Sequence, residues 1–554
     1  MKKLKGLGKR AYNVMFHTHT VAGIVISFAL FVIFFAGAFA MFRHETKQWE
    51  DPDLRQPLAQ ESDLDALLSQ ADEEFQLNFG QITNLNFPTE INPAFTIYGA
   101  TNDSDTTTAR VALRVNPVDG RIEDWEDPKT TVADTIYFLH YFRQIPVIGL
   151  YLSGFVGLFF LFSVITGLLI HWKNLFTKFY AFVKEGKWKV IWTNAHTVLG
   201  VIGLPFQVMY AVTGAFFGLL ALVLLPSVIL LYEGDSTKLF AKVQPQQAIE
   251  VDENAPPAVN HLSLNELEAQ IHERYPDHHI SRVQLRNYGK ADGVVSWQID
   301  HENSITAPGT ISMQTKDGAI LPEYSVLPET KTYSNAVTDY IFKLHFGTFG
   351  GAGLRFLYFI LALLTCFMII TGVLIWRTAR DNNRYTYLQR LFHHRVTKWY
   401  LAICLSMLPA FALLFLTNKV IPMEWDGRAA VVNRVFFLGW LGLTLIGLRW
   451  DKYSQQNRNY LLIAGVLGML IPFANGLATG DWFWVSINSY PWVAAIDIFW
   501  LLVGGLSLYL VFFVLKVKPT SDKPIPTLEE EPTERKVFEE PAVEKPITAL
   551  VKPG

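Results

Sequence analysis

Eight long apolar runs punctuate the chain, beginning near Val21, Leu150, Val198, Leu354, Trp399, Val431, Leu461 and Trp492. Each approaches the roughly 20 residues that a helix needs to cross a bilayer. Between the first and second runs, and again between the third and fourth, the pattern changes. Leu64, Leu67, Leu68, Ala71 and Phe75 recur at helical spacing, and the segment from Leu264 to Tyr275 does the same. Alternating stretches follow in both places. The first is the run from Ala109 to Glu126, which turns at Asn116 to Gly120; the second is Val294 to Ile299, followed by a turn at Asp317-Gly318.

This pattern predicts a mainly α membrane protein with about eight transmembrane helices. Helices are expected within 12–43, 147–232 and 344–380, two small α+β domains at 44–146 and 233–343, and a four-helix unit at 396–516. Pro205 and Pro226 predict a kink or an interfacial continuation in the third span. The tail 517–554 is rich in Pro, Glu and Lys without apolar periodicity, which predicts disorder.

The chain repeats itself. HTVAG from His19 to Gly23 returns as HTVLG from His196 to Gly200, and Gly-Ala-Phe begins 18 residues after the histidine in both copies, at Gly37 and Gly214. Leu139-His140 is followed by Thr166-Gly167, and Leu344-His345 by Thr371-Gly372, with 26 residues from histidine to threonine in each. The duplicated unit is therefore helix, extramembrane domain, helix.

Composition narrows the class. A chain of 554 residues that is 50% hydrophobic is too apolar for a soluble enzyme. Its net charge of −3 hides a local asymmetry, and orientation follows Lys and Arg in short loops. Lys2, Lys3, Lys5, Lys9 and Arg10, the loop with Lys173, Lys178, Lys184, Lys187 and Lys189, and the segment with Arg377, Arg380, Arg384, Arg390 and Arg395 are expected in the cytoplasm. Both termini then lie inside and both α+β segments outside. With Cys366 and Cys404 alone, a disulfide framework, an iron-sulfur cluster and a thiolate zinc site are not expected. Neither outer segment carries a Gly-rich nucleotide loop or a nucleophile elbow, and nucleic acid is not an expected partner.

Histidines beside membrane helices usually face the bundle interior. One alone reads most simply as a cap or a helix-to-helix hydrogen bond; four at duplicated positions ask for more. Imidazoles from facing helices commonly hold haem iron axially, and a bilayer interior supplies the apolar surroundings. A pseudo-two-fold bundle pairs His19 with His196 near one surface and His140 with His345 near the other, giving two bis-histidine haems. Gly23 and Gly200, four residues beyond their histidines, would clear space for a ring. His171 and His44 lie at the two depths and are alternative ligands, their repeat equivalents being Trp376 and Ala221. Arg43, Arg143 and Arg355 are candidate contacts for haem propionates or an anionic substrate, with ordinary snorkelling as the alternative. His17, His393 and His394 read as interfacial, and His278-His279 as part of a solvated loop rather than a complete metal site.

Taken as a set, HTVAG with GAF, the LH-to-TG spacing, the LHFGTFGG stretch and the VNPVDG hairpin resemble the PepSY-associated transmembrane family, over roughly residues 12 to 380. That family includes bacterial inner-membrane ferric-siderophore reductases. The resemblance implies a four-helix haem-binding core, PepSY-like periplasmic domains, and electrons crossing the inner membrane to a periplasmic ferric siderophore. Hard-oxygen chelators hold Fe(III) far better than Fe(II), so reduction loosens the complex.

No nicotinamide or flavin fingerprint is present, so a quinol or a cytoplasmic flavoprotein is the expected electron donor. The resulting expectation is a dihaem b-type ferric-chelate reductase of the bacterial inner membrane. Two alternatives are a non-redox binding or regulatory protein with PepSY-like domains, and a siderophore transporter, since internal repeats also occur in transport folds. The spans lack paired acidic residues at mid-membrane, which speaks against transport.

Overall fold

The computed structural model describes residues 7–55, 63–89, 92–101, 110–116, 119–125, 131–174, 188–240, 244–252, 254–301 and 308–515. The first basic residues, the loop bearing Lys178, Lys184 and Lys187, and the tail 517–554 lie outside the described residues. Among the described residues, eight helical spans, from Lys9–Ala40 to Pro491–Val514, are long and apolar enough to cross a membrane. They coincide with the eight apolar runs.

The chain opens with α1 (Lys9–Ala40) and continues almost at once into the short polar α2 (Arg43–Glu50). Then comes α3 (Leu64–Phe75), whose first turn is capped by the Asp63 side chain accepting from Ala66 N at 3.0 Å. Strands β1 (Thr83–Asn86), β2 (Thr96–Ala100), β3 (Arg110–Val115) and β4 (Ile122–Asp124) follow, then α4 (Val132–His140) and α5 (Gly149–His171).

The expected third span is two helices, α6 (Trp188–Ile202) and α7 (Leu204–Leu231), divided at Gly203. Proline explains the break. Pro205 has no N–H to continue the ladder of α6, and its fixed φ suits the first turn of a new helix. Pro226 stays inside α7. His19 thus sits within one continuous helix while His196 rides on a separate one.

The second half repeats the order with α8 (Leu264–Arg274), β5 (His279–Arg286), β6 (Val294–Asp300), β7 (Gly309–Gln314), α9 (Tyr333–Phe346) and α10 (Gly351–Arg380). Ser263 and Glu266 form a capping box at the start of α8. Gly347, at φ 63°, ends α9 in the left-handed region that glycine adopts without strain. The remaining long helices are α11 (Tyr387–Leu405), α12 (Met407–Val420), α13 (Arg428–Gly447), α14 (Tyr453–Thr479) and α15 (Pro491–Tyr509).

The two α+β segments form one antiparallel sheet of seven strands in the order β4-β3-β2-β1-β5-β6-β7. Their junction is β1 against β5, from Thr83 opposite Leu285 to Asn86 opposite Arg282. These are equivalent strands of the two halves, so the internal symmetry is closed edge to edge and each covers an edge the other would expose.

The helices cross-cap in the same reciprocal way. Leu64 N donates to Asn265 Oδ1 at 2.9 Å, while Leu264 N and Asn265 N donate to the Asp65 carboxylate at 2.8 and 3.0 Å. One face of the sheet packs its Leu85, Ile97, Leu113, Val283, Leu285, Val295, Trp297 and Ile311 against α3 and α8. The opposite face is polar.

The spans build a second core. Phe35 and Phe39 of α1 each meet Phe411 of α12 at ring distances of 5.0 Å, and Phe39 also stacks on Trp500 of α15. The span formed by α11 and α12 is the most enclosed of the eight. The carboxy-terminal helices therefore wall α1 rather than stand apart from it.

Candidate functional site: two facing imidazole pairs

The fold brings the repeated histidines together in twos. His19 and His196 face each other with ring centroids 6.1 Å apart, and so do His140 and His345, also at 6.1 Å. In each pair one ring comes from each half of the repeat.

Every ring is held by its Nδ1. His19 Nδ1 donates to Ser163 O at 2.9 Å, His196 Nδ1 to Met368 O at 2.9 Å and His140 Nδ1 to Ile33 O at 2.8 Å. A carbonyl oxygen only accepts, so Nδ1 carries the proton and Nε2 keeps its lone pair. For His345 the partner is Thr213 Oγ1 at 2.8 Å. That hydroxyl already donates to Met209 O, so it too accepts. Four imidazoles are thereby fixed in one tautomer, the state in which imidazole binds a metal through Nε2.

The repeated motifs find their meaning across helices. Thr166 and Thr371 place Oγ1 3.4 Å from Nδ1 of His19 and of His196. A Cβ on Gly167 would come within 3.2 Å of His19 Cε1, and one on Gly372 within 3.1 Å of His196 Cε1. Each Thr-Gly step thus beds the histidine of the other pair, not the one 26 residues before it. Gly37 does the same for His140, whose Nδ1 would lie 2.7 Å from an added Cβ. Gly214, its repeat equivalent, faces open space.

A cavity of about 530 Å³ surrounds the first pair, lined by His19, His196, His171, Gly23, Gly200 and Arg380 among others. A Cβ on Gly23 would meet nothing within 4 Å, and one on Gly200 only Met368 Sδ at 3.6 Å. The lining is predominantly apolar, with Ile26, Leu30, Phe160 and Val164 contributing. Arg380 stacks on Trp376 at 4.8 Å. Sequence reasoning used Arg380 only to orient the chain; its position one turn beyond Trp376 was the available signal.

The second pair is enclosed by aromatic side chains. Phe217 and Tyr210 lie 4.9 and 5.1 Å from the His345 ring, and Tyr210 Oη donates to His345 O at 2.9 Å. Tyr210 packs against Phe206 with ring centres 4.6 Å apart, and Phe206 reaches Phe34 at 6.2 Å. Along α1 the two pairs are separated by roughly 21 to 27 Å, the rise from His19 to the Ile33 and Gly37 that hold His140.

The other candidates part company. His171 shares the cavity of the first pair. His44 instead sits on α2 with a buried Nδ1 that has no hydrogen-bond partner among the described residues. Burial and the neighbouring Arg355, Arg43 and Lys47 push its pKa down to about 4. Arg43 pairs with Asp134 at 2.5 Å, and Arg355 with Glu45 at 2.7 Å. Carboxylates of the chain thus already occupy two of the three arginines proposed for an anionic ligand. Arg143 lies over Phe138 at 4.8 Å, and among the described residues no carboxylate pairs with it. Nor do three or more His, Cys, Asp or Glu gather in a metal-binding group among the described residues.

One feature escaped the sequence altogether. The buried Glu50 carboxylate accepts from the backbone N–H groups of Thr131, Val132 and Ala133 at 2.7, 2.5 and 3.0 Å, and from Asn418 Nδ2 at 2.9 Å. It closes the N-terminus of α4, the helix that ends in His140. Lys419 Nζ donates to Trp49 O at 2.5 Å, while Trp49 Nε1 donates to Asp497 at 2.9 Å. The carboxy-terminal helices therefore grip α2 and α4 through polar side chains that no repeat announces.

Among the described residues, eight apolar spans, a shared extramembrane sheet and two facing imidazole pairs at two depths define a duplicated membrane protein. The chain matches the PepSY-associated TM region over residues 16–379, and it belongs to that family. It is similar to an uncharacterized protein of Pseudomonas aeruginosa, 24% identical over 357 residues, which cover 60% of this chain and 84% of that protein.

Proposed function

We propose that this protein is a dihaem b-type oxidoreductase of the bacterial inner membrane. In this reading it passes electrons outward, from a quinol or a cytoplasmic flavoprotein, to reduce ferric siderophore on the sheet-bearing side. One observation carries the reading. In both pairs the ring centres stand 6.1 Å apart, and each ring is held at Nδ1, so that its Nε2 would be free to hold a haem iron shared with its partner.

His19 and His196 would hold one haem, and His140 and His345 the other. A b-type haem supplies one-electron exchange at its iron. The chain's part is to fix the ligands and exclude water. The carbonyls of Ser163, Met368 and Ile33 orient three imidazoles and raise their basicity, and Thr213 orients the fourth. The phenyl and phenol rings between the pairs keep the interior dry. The Lys and Arg flanking the spans support an orientation with the sheet in the periplasm and both termini in the cytoplasm.

The test is an absorption spectrum of purified protein before and after dithionite. Two low-spin b-type haems per chain are expected. His19→Ala or His196→Ala should remove one, and His140→Ala or His345→Ala the other. A colourless protein from haem-replete cells ends the proposal.

A further inference from the structure

The ends of the spans opposite the sheet gather positive charge. From Arg377 to Lys398, across the end of α10 and the start of α11, six basic residues stand against one acid, Asp381; from Arg449 to Arg458, into α14, three stand against Asp451. The three helices meet here. Arg377 lies over the Tyr453 ring of α14 at 5.1 Å, and His394 of α11 stacks on the same ring at 6.3 Å. Arg380 lies over Trp376 at 4.8 Å, and that indole meets the His393 ring at 4.9 Å.

Orientation in a bilayer accounts for basic residues on one side of it. It does not supply their counter-ions. Asp381 faces His394 at 3.6 Å, and among the described residues no carboxylate pairs with Arg377, Arg380, Arg384, Arg390 or Arg395. Arg384, Arg395, Arg449, Lys452 and Arg458 are exposed. Like charges at this density repel one another, and a segment of opposite sign laid among them relieves the repulsion.

The same chain carries such a segment. Beyond Leu515, the last described residue, Glu529, Glu530, Glu531, Glu534, Glu539 and Glu540 crowd into twelve residues with Arg535 and Lys536 opposing them, two positive charges less six negative, or −4. Its root lies at the matching end of the molecule. A Cβ on Gly465 of α14 would come 2.7 Å from Leu508 Cγ of α15, which sets those two residues at one depth. Leu515 is seven residues further along, a rise of roughly 10 Å, and Tyr453 is twelve residues back along the antiparallel α14, roughly 18 Å. The tail therefore leaves within about 8 Å of the depth of Tyr453. The fourteen residues from Leu515 to Glu529 can span up to roughly 46 Å, ample for a surface that begins so near. Tethering makes the contact intramolecular, so surface ion pairs that are weak one by one act together.

We propose that the glutamate-rich segment Glu529 to Glu540 docks on this arginine surface and covers the rim of the cavity around His19 and His196. Trp376, Arg380 and Tyr385 belong both to that rim and to the arginine surface. A lipid phosphate offers a single charge at headgroup depth, whereas arginines spread from the last turn of α10 across the loop into α11 suit an extended polyanion. The docking does not rest on the reductase reading; its consequence, that the tail controls what reaches the first imidazole pair, matters for electron entry only under that reading.

The experiment uses the full chain in phosphatidylcholine nanodiscs, with a nitroxide on Thr533→Cys and, in a second protein, maleimide labelling of Tyr385→Cys; the native cysteines are buried and stay silent. The comparison is a variant with Glu529→Gln and the same change at Glu530, Glu531, Glu534, Glu539 and Glu540. With the native tail the nitroxide should be immobilised and Tyr385→Cys should react about tenfold more slowly than in the variant, the factor that a docked-to-free ratio of about ten requires. Arg384→Gln combined with Arg390→Gln and Arg395→Gln should free the tail from the other side, and so should molar salt, in which the Debye length falls to about 3 Å. A nitroxide equally mobile with the native and the Gln tail overturns the docking. Docking that disappears when phosphatidylglycerol is added assigns the arginines to lipid phosphates and overturns it as well. An immobilised nitroxide with unchanged labelling of Tyr385→Cys overturns the cover over the cavity. Neither readout needs haem, so a colourless protein with a docked tail would sink the reductase reading alone, and a haem protein with a free tail would sink this proposal alone.

Discussion

The histidines matter less by their number than by what restrains them. Four Nδ1 atoms are spent on three carbonyls and one committed hydroxyl, and glycines stand where a methyl group would collide with three of the rings. The repeat supplies its own control. At Gly37→Ala the new Cβ falls 2.7 Å from His140 Nδ1, and the ring must turn away from Ile33 O. At Gly214→Ala it meets nothing within 4 Å. On the dihaem proposal, the first substitution should shift the midpoint potential of a haem held by His140 and His345 and lower its occupancy; the second should do neither. Equal redox titrations of the two variants would show that the bed of the ring is unimportant.

Elements are joined here by buried polar groups as well as by apolar packing. α4 is nine residues long, and its first N–H groups would be stranded without the Glu50 carboxylate. Glu50→Leu strands the three backbone N–H groups that open α4 and should destabilise it by on the order of 3 kcal/mol or more. Asn418→Leu removes a single donor and should cost about 1 kcal/mol. Because Asn418 bonds both Glu50 and Thr131, the two changes should not add. Hydrogen exchange over residues 132–140 measures both; unchanged protection in Glu50→Leu would mean that α4 is held by packing alone.

At the scale of the whole molecule, one sheet shared by both halves locks the repeat, and the far ends of the spans carry the basic residues. Asp317 is exposed at the tip of a sheet hairpin, and Arg384 is exposed beyond α10. The native cysteines are buried, at 4% and 1% exposure, and should not react. A membrane-impermeant maleimide applied to spheroplasts should therefore label Asp317→Cys and spare Arg384→Cys. The reverse labelling would invert the proposed orientation and put the sheet in the cytoplasm.

The spans were legible because a bilayer demands long apolar runs, and the strands because alternation and Asp-Gly turns are local signals. The pairing of histidines was legible because duplication preserved it. The break at Gly203 was half legible, since proline forbids the ladder but does not say where the next helix begins. Other features were set by residues far apart in the chain. Glu50 meets Asn418 across 368 positions, Thr166-Gly167 serves His19 rather than His140, and β1 pairs with β5 across some 200. Periodicity reports which face of an element is apolar, because burial acts on each residue alone. Which partner that face meets, and which buried polar group finds its donor, is decided only when distant segments pack and every stranded N–H or C=O must be matched.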